Sequence, residues 1–237
     1  LQQADGAVSE PISAAADSLR GGKFDEAIAA LAGAASDRLS VPFLKGLALF
    51  GKGDLEPAAE QFREALRVDS EFLPAAFYLG ACYAAGGQDR EAAGAWQTSL
   101  ISESEARIVY DVLADALLRL GEGEQAESII REALGRWPDD DSFVPRLSAA
   151  EAMQRKGAEA VATLEPYLAG HPADASAWFL AMRILYDAYA AGGVITSQAE
   201  DAARAVKYAE AYKAAAGPRF ALVDRWAAFI QKGRAGR

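Results

Sequence analysis

The sequence predicts an all-α protein in which one helix–turn–helix unit is repeated and stacked as a solenoid. Three observations support this prediction: glycines return at a nearly fixed interval, small and large apolar residues follow each glycine in a fixed order, and alanine dominates a composition that lacks asparagine. Of the 237 residues, 51% are hydrophobic and 24% are charged, which is typical of a folded chain with a substantial core. We therefore expect one α-solenoid domain over residues 1–237.

A glycine marks the end of the first helix in each unit. Gly22, Gly53, Gly87 and Gly121 are separated by 31, 34 and 34 residues. Glycine adopts the left-handed conformation that ends a helix at little energetic cost, because it has no Cβ. The four glycines therefore predict four turns between paired helices.

Small and large side chains follow each glycine at constant distances. The small residue, five positions on, lets the second helix approach the first, and the large residue one turn later fills the space between units. A proline or serine then stops the second helix. The small residues are Ala27, Ala58, Ala92 and Ala126, with Ala160 a further 34 residues along, and the large ones are Leu31, Phe62, Trp96, Ile130 and Leu164.

The period and this order of residues resemble the tetratricopeptide repeat (TPR) family. The resemblance is closest in Leu79-Gly80, Tyr83, Gly87, Ala92, Trp96 and Leu100. It implies a right-handed superhelical α-solenoid of about six TPR helix–turn–helix units with a C-terminal capping helix. The implied units are 8–38, 39–72, 73–106, 107–140, 141–174 and a modified 175–216, followed by the capping helix at 217–233.

The fifth unit and the C-terminal segment depart from the pattern. In the fifth unit, Gly157 comes two residues late and Pro166 is expected to interrupt the second helix. The sixth unit has a long first helix, a loop from Gly192 to about Ser197, and a second helix over 198–215. Pro218 is expected to open the last helix, whose apolar face would cover the end of the stack.

A shorter pattern bears on the origin of the chain. Leu164-Glu165-Pro166-Tyr167-Leu168 before His171-Pro172 resembles TPR regions of large proteins from bacteria with high-GC genomes. The chain begins at Leu1 instead of a methionine, so we expect either a processed extracytoplasmic protein or a fragment of a longer chain. A cytoplasmic location stays open.

Residue types that carry catalysis or bind metals are scarce. The chain has one histidine, His171, and one cysteine, Cys82, which belong to distant units of the array. We expect Cys82 to be a buried, inert thiol and His171 to lie at a helix end. The run Asp139–Ser142 suits helix capping better than a calcium loop. We therefore expect no enzyme, no cofactor and no metal.

Charge narrows the choice of partner. The formal net charge is −10, whereas nucleic-acid binding depends on clustered Lys and Arg. No stretch approaches the roughly 20 apolar residues that span a bilayer. We expect a protein or peptide partner, no nucleic acid and no membrane insertion.

The candidate partner-binding surface, implied by the TPR resemblance, is the concave face lined by the first helices. The best-known TPR co-chaperones hold a C-terminal carboxylate there with a Lys–Asn clamp, which a chain without asparagine cannot build in that form. An apolar groove suits an amphipathic helix or an extended hydrophobic segment. The alternative is that several of these side chains pack against neighbouring helices. The candidate residues are Phe43, Leu47, Phe50, Phe77, Asp111, Asp115 and Arg119.

Two functions follow from these expectations. The first is a non-enzymatic scaffold or adaptor that binds a partner segment in the groove. The second is self-assembly, in which ends or faces of the solenoid stack into homo-oligomers or filaments, since a head-to-tail contact need not close. The alanine-rich first unit, a poor solubilising cap, favours the second.

Overall fold

The computed structural model describes residues 10–34, 38–100, 106–217 and 221–233, and these ranges contain thirteen α-helices and no strand. The all-α prediction is therefore confirmed. A short 3-10 helix, Asp141–Phe143, precedes α9. The α-helices are Glu10–Arg20 (α1), Phe24–Ala30 (α2), Ser40–Lys52 (α3), Leu55–Val68 (α4), Leu73–Ala85 (α5), Asp89–Leu100 (α6), Arg107–Leu120 (α7), Gly123–Arg136 (α8), Val144–Met153 (α9), Gly157–Gly170 (α10), Ala175–Ala190 (α11), Gln198–Ala216 (α12) and Ala221–Lys232 (α13).

The helices form two compact units, Leu1–Leu120 (unit 1) and Gly121–Arg237 (unit 2). Within each unit, every helix packs against the next one along the chain. First helices of successive repeats also touch: α1 contacts α3 and α3 contacts α5 in unit 1, while α9 contacts α11 and α11 contacts α13 in unit 2. Each unit therefore presents a face made of first helices.

The predicted left-handed glycines are confirmed. Gly22, Gly53, Gly87 and Gly121 have φ angles of 69°, 84°, 75° and 77°. At the end of α3, the N–H of Gly53 donates to the carbonyl of Phe50 at 2.9 Å, which is one of the carbonyls that the helix leaves without a partner.

The fifth repeat places an arginine in this conformation. Arg155 lies 34 residues after Gly121 and has a φ of 63°, the one positive φ of a non-glycine residue in the described ranges. A side chain costs roughly 1–2 kcal/mol in this conformation. Gly157, the glycine that comes two residues late in the repeat pattern, instead begins α10.

Helix pairs in unit 1 pack closely through two glycines on first helices. A Cβ on Gly46 would lie 2.6 Å from Cε1 of Phe62, and one on Gly80 would lie 2.6 Å from Cδ1 of Trp96. The Trp96 indole N–H donates to the carbonyl of Phe77 at 3.0 Å. A small residue on the first helix thus admits a large one from the second.

The prediction that Pro166 interrupts the second helix of the fifth repeat is wrong, because α10 continues through it to Gly170. Proline lacks the N–H that would bond to the carbonyl of Ala162. Both residues lie on the exposed side of α10, where water can serve that carbonyl. The opposite side is held by the buried Leu164 and Leu168.

The last helices follow the predicted order. The loop after Gly192 ends at Ser197, whose Oγ accepts the N–H of Glu200 at 3.3 Å and caps α12. The predicted start at Pro218 lies outside the described residues. Buried Val223 and Ile230 pack α13 against α11 and α12. The capping role of α13 and the boundaries of the six predicted TPR repeats stay predictions.

Cys82 and His171 have the structural positions that the sequence predicted. Cys82 is buried, and burial raises the pKa of its thiol to about 11. His171 directly follows α10, where its ring stacks on Tyr167 with 4.2 Å between centroids. Asp140 accepts the N–H of Ser142 at 3.2 Å, so the acidic run caps the short helix before α9.

Candidate functional site

The predicted partner-binding residues lie on three first helices of unit 1, namely α3, α5 and α7. Phe43 on α3 is 6% exposed. Its ring meets that of Phe72 edge-on at 4.9 Å and lies 5.9 Å from that of Phe62. Phe43 therefore stabilises the contact between α3, α4 and α5, and its role in binding stays a prediction.

Tyr78 is the residue that joins the predicted aromatic positions into one cluster. Its ring lies 5.8 Å from Phe50 and 5.5 Å from Phe77, and it meets both at steep angles, as aromatic pairs prefer. Leu47, also half-buried, packs beside them. Because Leu47, Phe50, Phe77 and Tyr78 are all half-buried, this aromatic cluster leaves apolar surface at the face of α3 and α5.

The charged candidates on α7 are engaged in ion pairs. Asp111 forms a salt bridge with Arg107 one turn earlier. Both Nε and Nη2 of Arg119 donate to Oδ1 of Asp89, at 2.9 and 2.7 Å. These hydrogen bonds lower the pKa of Asp89 and raise that of Arg119, to which the charge of Asp115 also contributes. Arg119 therefore ties the end of α7 to the start of α6.

Unit 2 contains a pocket for which the sequence predicted no residue. It has a volume of about 950 Å³ and lies between α9, α11 and the loop at 193–195. Met153 and Val194, which are 42% and 53% exposed, contribute apolar surface to it together with Leu180 and Ile184. The signal available in the sequence was Arg155, the residue that replaces the expected glycine, and it lines the same pocket.

The wall of this pocket is fixed by a buried carboxylate on α12. Asp201, with no exposed surface, accepts the N–H of Ile195 at 2.7 Å and the hydroxyl of Thr196 at 3.0 Å. Arg204 donates to the Thr196 hydroxyl oxygen at 2.7 Å and pairs with Glu165. The loop therefore has a defined position before any ligand arrives.

In the ranges that the structure covers, no helix has both the length and the apolar character needed to cross a bilayer. Nor do the described residues bring three His, Cys, Asp or Glu side chains together in a group that could hold a metal ion.

Comparison with known proteins identifies the repeat. Residues 43–72, which include most of α3 and all of α4, match the tetratricopeptide repeat family. No curated protein sequence matches the chain.

Several solved structures share the fold. YrrB, a TPR protein with an unusual peptide-binding site, is 18% identical with a TM-score of 0.66, covering 88% of this chain and 97% of its own. A tetratricopeptide repeat protein from Parabacteroides merdae is 14% identical with a TM-score of 0.63, covering 93% and 97%. PilF of Pseudomonas aeruginosa is 16% identical with a TM-score of 0.61, covering 92% and 95%.

The stacked helix pairs define the class, a helical-repeat protein, and the first helices of unit 1 expose apolar surface. Within that class, one repeat of the chain matches the tetratricopeptide repeat family, and solved tetratricopeptide repeat proteins share its fold. Proteins of this kind are generally interaction modules without catalytic activity.

Proposed function

We propose that the chain is a non-enzymatic scaffold or adaptor that binds a segment of a partner protein on the first helices of unit 1. The observation that carries this proposal is the half-buried aromatic cluster around Tyr78, between α3 and α5. Partly exposed rings fixed by their neighbours lose little conformational freedom on binding, and aromatic residues dominate the energetics of protein interfaces. An apolar partner side chain would complete the burial of Phe50 and Phe77.

Double substitution of Phe50→Ala and Phe77→Ala is expected to weaken binding by about tenfold or more, because each truncation removes apolar contact worth roughly 1 kcal/mol. The probe is a set of dodecapeptides selected by phage display on the wild-type chain. Fluorescence anisotropy then gives the dissociation constant of each peptide for wild type and variant, and circular dichroism checks that the variant is folded.

Val68→Ala is the matched control, since Val68 is an apolar residue of unit 1 that is 40% exposed at the end of a second helix. Peptides that lose affinity for the double variant and keep it for Val68→Ala support the proposed surface. If every selected peptide binds the double variant as tightly as the wild type, the surface is wrongly assigned.

A second candidate function is self-association through α13 of unit 2. Its Leu222 and Phe229 are 38% and 45% exposed, and Trp226 beside them stacks on Tyr186 with 4.8 Å between centroids. Exposed apolar surface on a terminal helix favours contact with another copy of the chain. Such contacts would build the homo-oligomers or filaments predicted as the alternative function.

Light scattering during size-exclusion chromatography tests this second function. The wild-type mass is expected to rise above 25.0 kDa as concentration increases, whereas a Leu222→Ser, Phe229→Ser variant stays at the monomer mass. A wild type that remains monomeric over the same concentrations would exclude association through α13.

A further inference from the structure

We propose that the pocket of unit 2 is a separate binding site for a partner segment in which an apolar side chain stands next to an Asp or Glu, with Arg155 binding the carboxylate. The proposal rests on the proposed function, that the chain binds protein segments, but it uses residues of a different unit. The pocket between α9, α11 and the 193–195 loop would receive the apolar side chain.

The backbone conformation of Arg155 indicates a role in binding. Four earlier repeats put glycine at this turn with φ between 69° and 84°, whereas Arg155 adopts a φ of 63°. Glycine would fit the turn without strain, so local folding does not explain an arginine here. Strained residues of this kind concentrate at binding sites, where surrounding structure holds them in place.

The side chain of Arg155 is available to bind a ligand. It is exposed, it lines the pocket, and it forms no ion pair or side-chain hydrogen bond with the residues that the structure describes. The other two cations of the pocket have acidic neighbours: Lys156 donates to Glu127 at 2.9 Å, and Nε of Arg183 lies 3.5 Å from Asp187. Arg155 is therefore the cation placed to bind a carboxylate of a ligand.

The two halves of the chain differ in net charge. Residues 1–120 carry 18 acidic and 10 basic side chains, whereas residues 121–237 carry 16 and 14. The pocket itself has three cations, Arg155, Lys156 and Arg183, against the two anions Glu159 and Asp187. Unit 1 would repel an acidic segment, whereas the cations of this pocket would attract it.

The apolar part of the pocket determines which side chain stands next to the acidic residue of the partner segment. Met153 adapts its shape to many ligands because its side chain is unbranched, while Ile195 is held by the hydrogen bonds of the loop to Asp201. The fixed 193–195 loop and the flexible side chain of Met153 together can accommodate Leu, Ile, Met or Phe. Apolar contact provides affinity, and Arg155 selects the acidic neighbour.

An array of end-blocked hexapeptides tests this site. Each peptide carries Leu, Ile, Met or Phe at its centre, followed by Glu, Gln or Lys, and the blocked termini remove the terminal carboxylate as a source of charge. The full chain is expected to bind Glu peptides at least tenfold more tightly than the matching Gln and Lys peptides. Equal binding of Glu and Gln peptides would overturn the proposal.

Two variants examine Arg155 directly. Arg155→Gly restores the residue of the other repeats, so it is expected to melt no lower than the wild type and yet to lose about tenfold in affinity for the best Glu peptide. Arg155→Gln keeps a long side chain at the same turn and is expected to lose the preference for Glu over Gln. Unchanged affinity and preference in either variant would overturn the proposal.

The Phe50→Ala, Phe77→Ala variant separates the two sites. It is expected to bind the best Glu peptide like the wild type. Peptides that respond to this variant and not to Arg155→Gly overturn the unit 2 site and retain the proposed function of unit 1. Absence of binding by every array peptide overturns the unit 2 site, while the dodecapeptide selection independently decides the function of unit 1.

Discussion

Arg131→Ala is expected to destabilise unit 2 by about 3 kcal/mol, because it leaves a buried carboxylate without its cation. Glu151 on α9 is 2% exposed, and its Oε1 accepts a hydrogen bond from Nη2 of Arg131 on α8 at 2.9 Å. Its other oxygen, Oε2, is buried and has no hydrogen-bond partner among the described residues. Removing the guanidinium therefore leaves both oxygens of Glu151 without a donor.

The same arginine also belongs to a wider network. Glu127 accepts hydrogen bonds from Lys156, Gln154 and Arg131, and these bonds lower its pKa to about 2. Lys156 and Gln154 remain bound to Glu127 in the variant, so the loss is centred on Glu151. Replacement of Glu151 by the neutral Gln should then recover part of the stability, since an amide costs less to bury than a carboxylate.

Urea unfolding monitored by circular dichroism measures these changes. Arg183→Ala is the matched control in the same unit, because Arg183 and its neighbour Asp187 are 57% and 63% exposed and an exposed pair contributes at most about 1 kcal/mol. Arg131→Ala is expected to lower the free energy of unfolding well beyond the control. A loss equal to that of the control, or no recovery in the double variant with Glu151→Gln, would contradict this account.

The features that sequence predicted best are those that a repeat imposes locally. Gly53 and Gly87 were predicted as left-handed turn residues because that conformation selects glycine wherever it occurs. Arg155 has the same conformation, but its residue type does not indicate a left-handed turn, and only its position one period after Gly121 does. Gly157, the glycine nearest to that position, begins α10 instead. The pocket that Arg155 lines was therefore missed.

Residues that depend on distant partners were harder to predict. Ala205 and Tyr212 recur at a helical spacing on α12, and both are buried. Asp201 is buried on the same helix because loop N–H groups donate to it. The hydroxyl of the buried Tyr208 donates to Glu165 at 2.8 Å. Neither partner lies at a spacing that helical periodicity reveals.

The candidate site of unit 1 shows the same limit. Phe43, Phe50 and Phe77 were predicted by register, and the structure brings each within 6.0 Å of the ring of Tyr78, which the sequence did not single out. Register identifies the helix face on which a residue lies. It does not tell how deeply neighbouring rings bury that residue: Phe43 is buried, whereas Phe50 and Phe77 are half-buried.

Gly80→Ala is expected to destabilise unit 1 by about 2 kcal/mol, although alanine favours a helix over glycine by roughly 1 kcal/mol. The added Cβ would lie 2.6 Å from Cδ1 of Trp96, a distance that ordinary packing does not permit. Trp96 is 3% exposed and its indole N–H is bound to the carbonyl of Phe77, so the ring has little freedom to move. Overpacking should therefore outweigh the gain in helix propensity.

Gly94→Ala is the control for this substitution, and its expected effect has the opposite sign. Gly94 lies on α6, two residues from Trp96, is exposed, and has no heavy atom of the described residues within 4 Å of its added Cβ. Urea midpoints should therefore fall for Gly80→Ala and rise for Gly94→Ala. Trp96→Leu in the Gly80→Ala background should cost less than the sum of the two single changes, because the smaller side chain relieves the clash. Equal shifts in both glycine variants would show that helix propensity, and not contact with Trp96, decides the residue at this position.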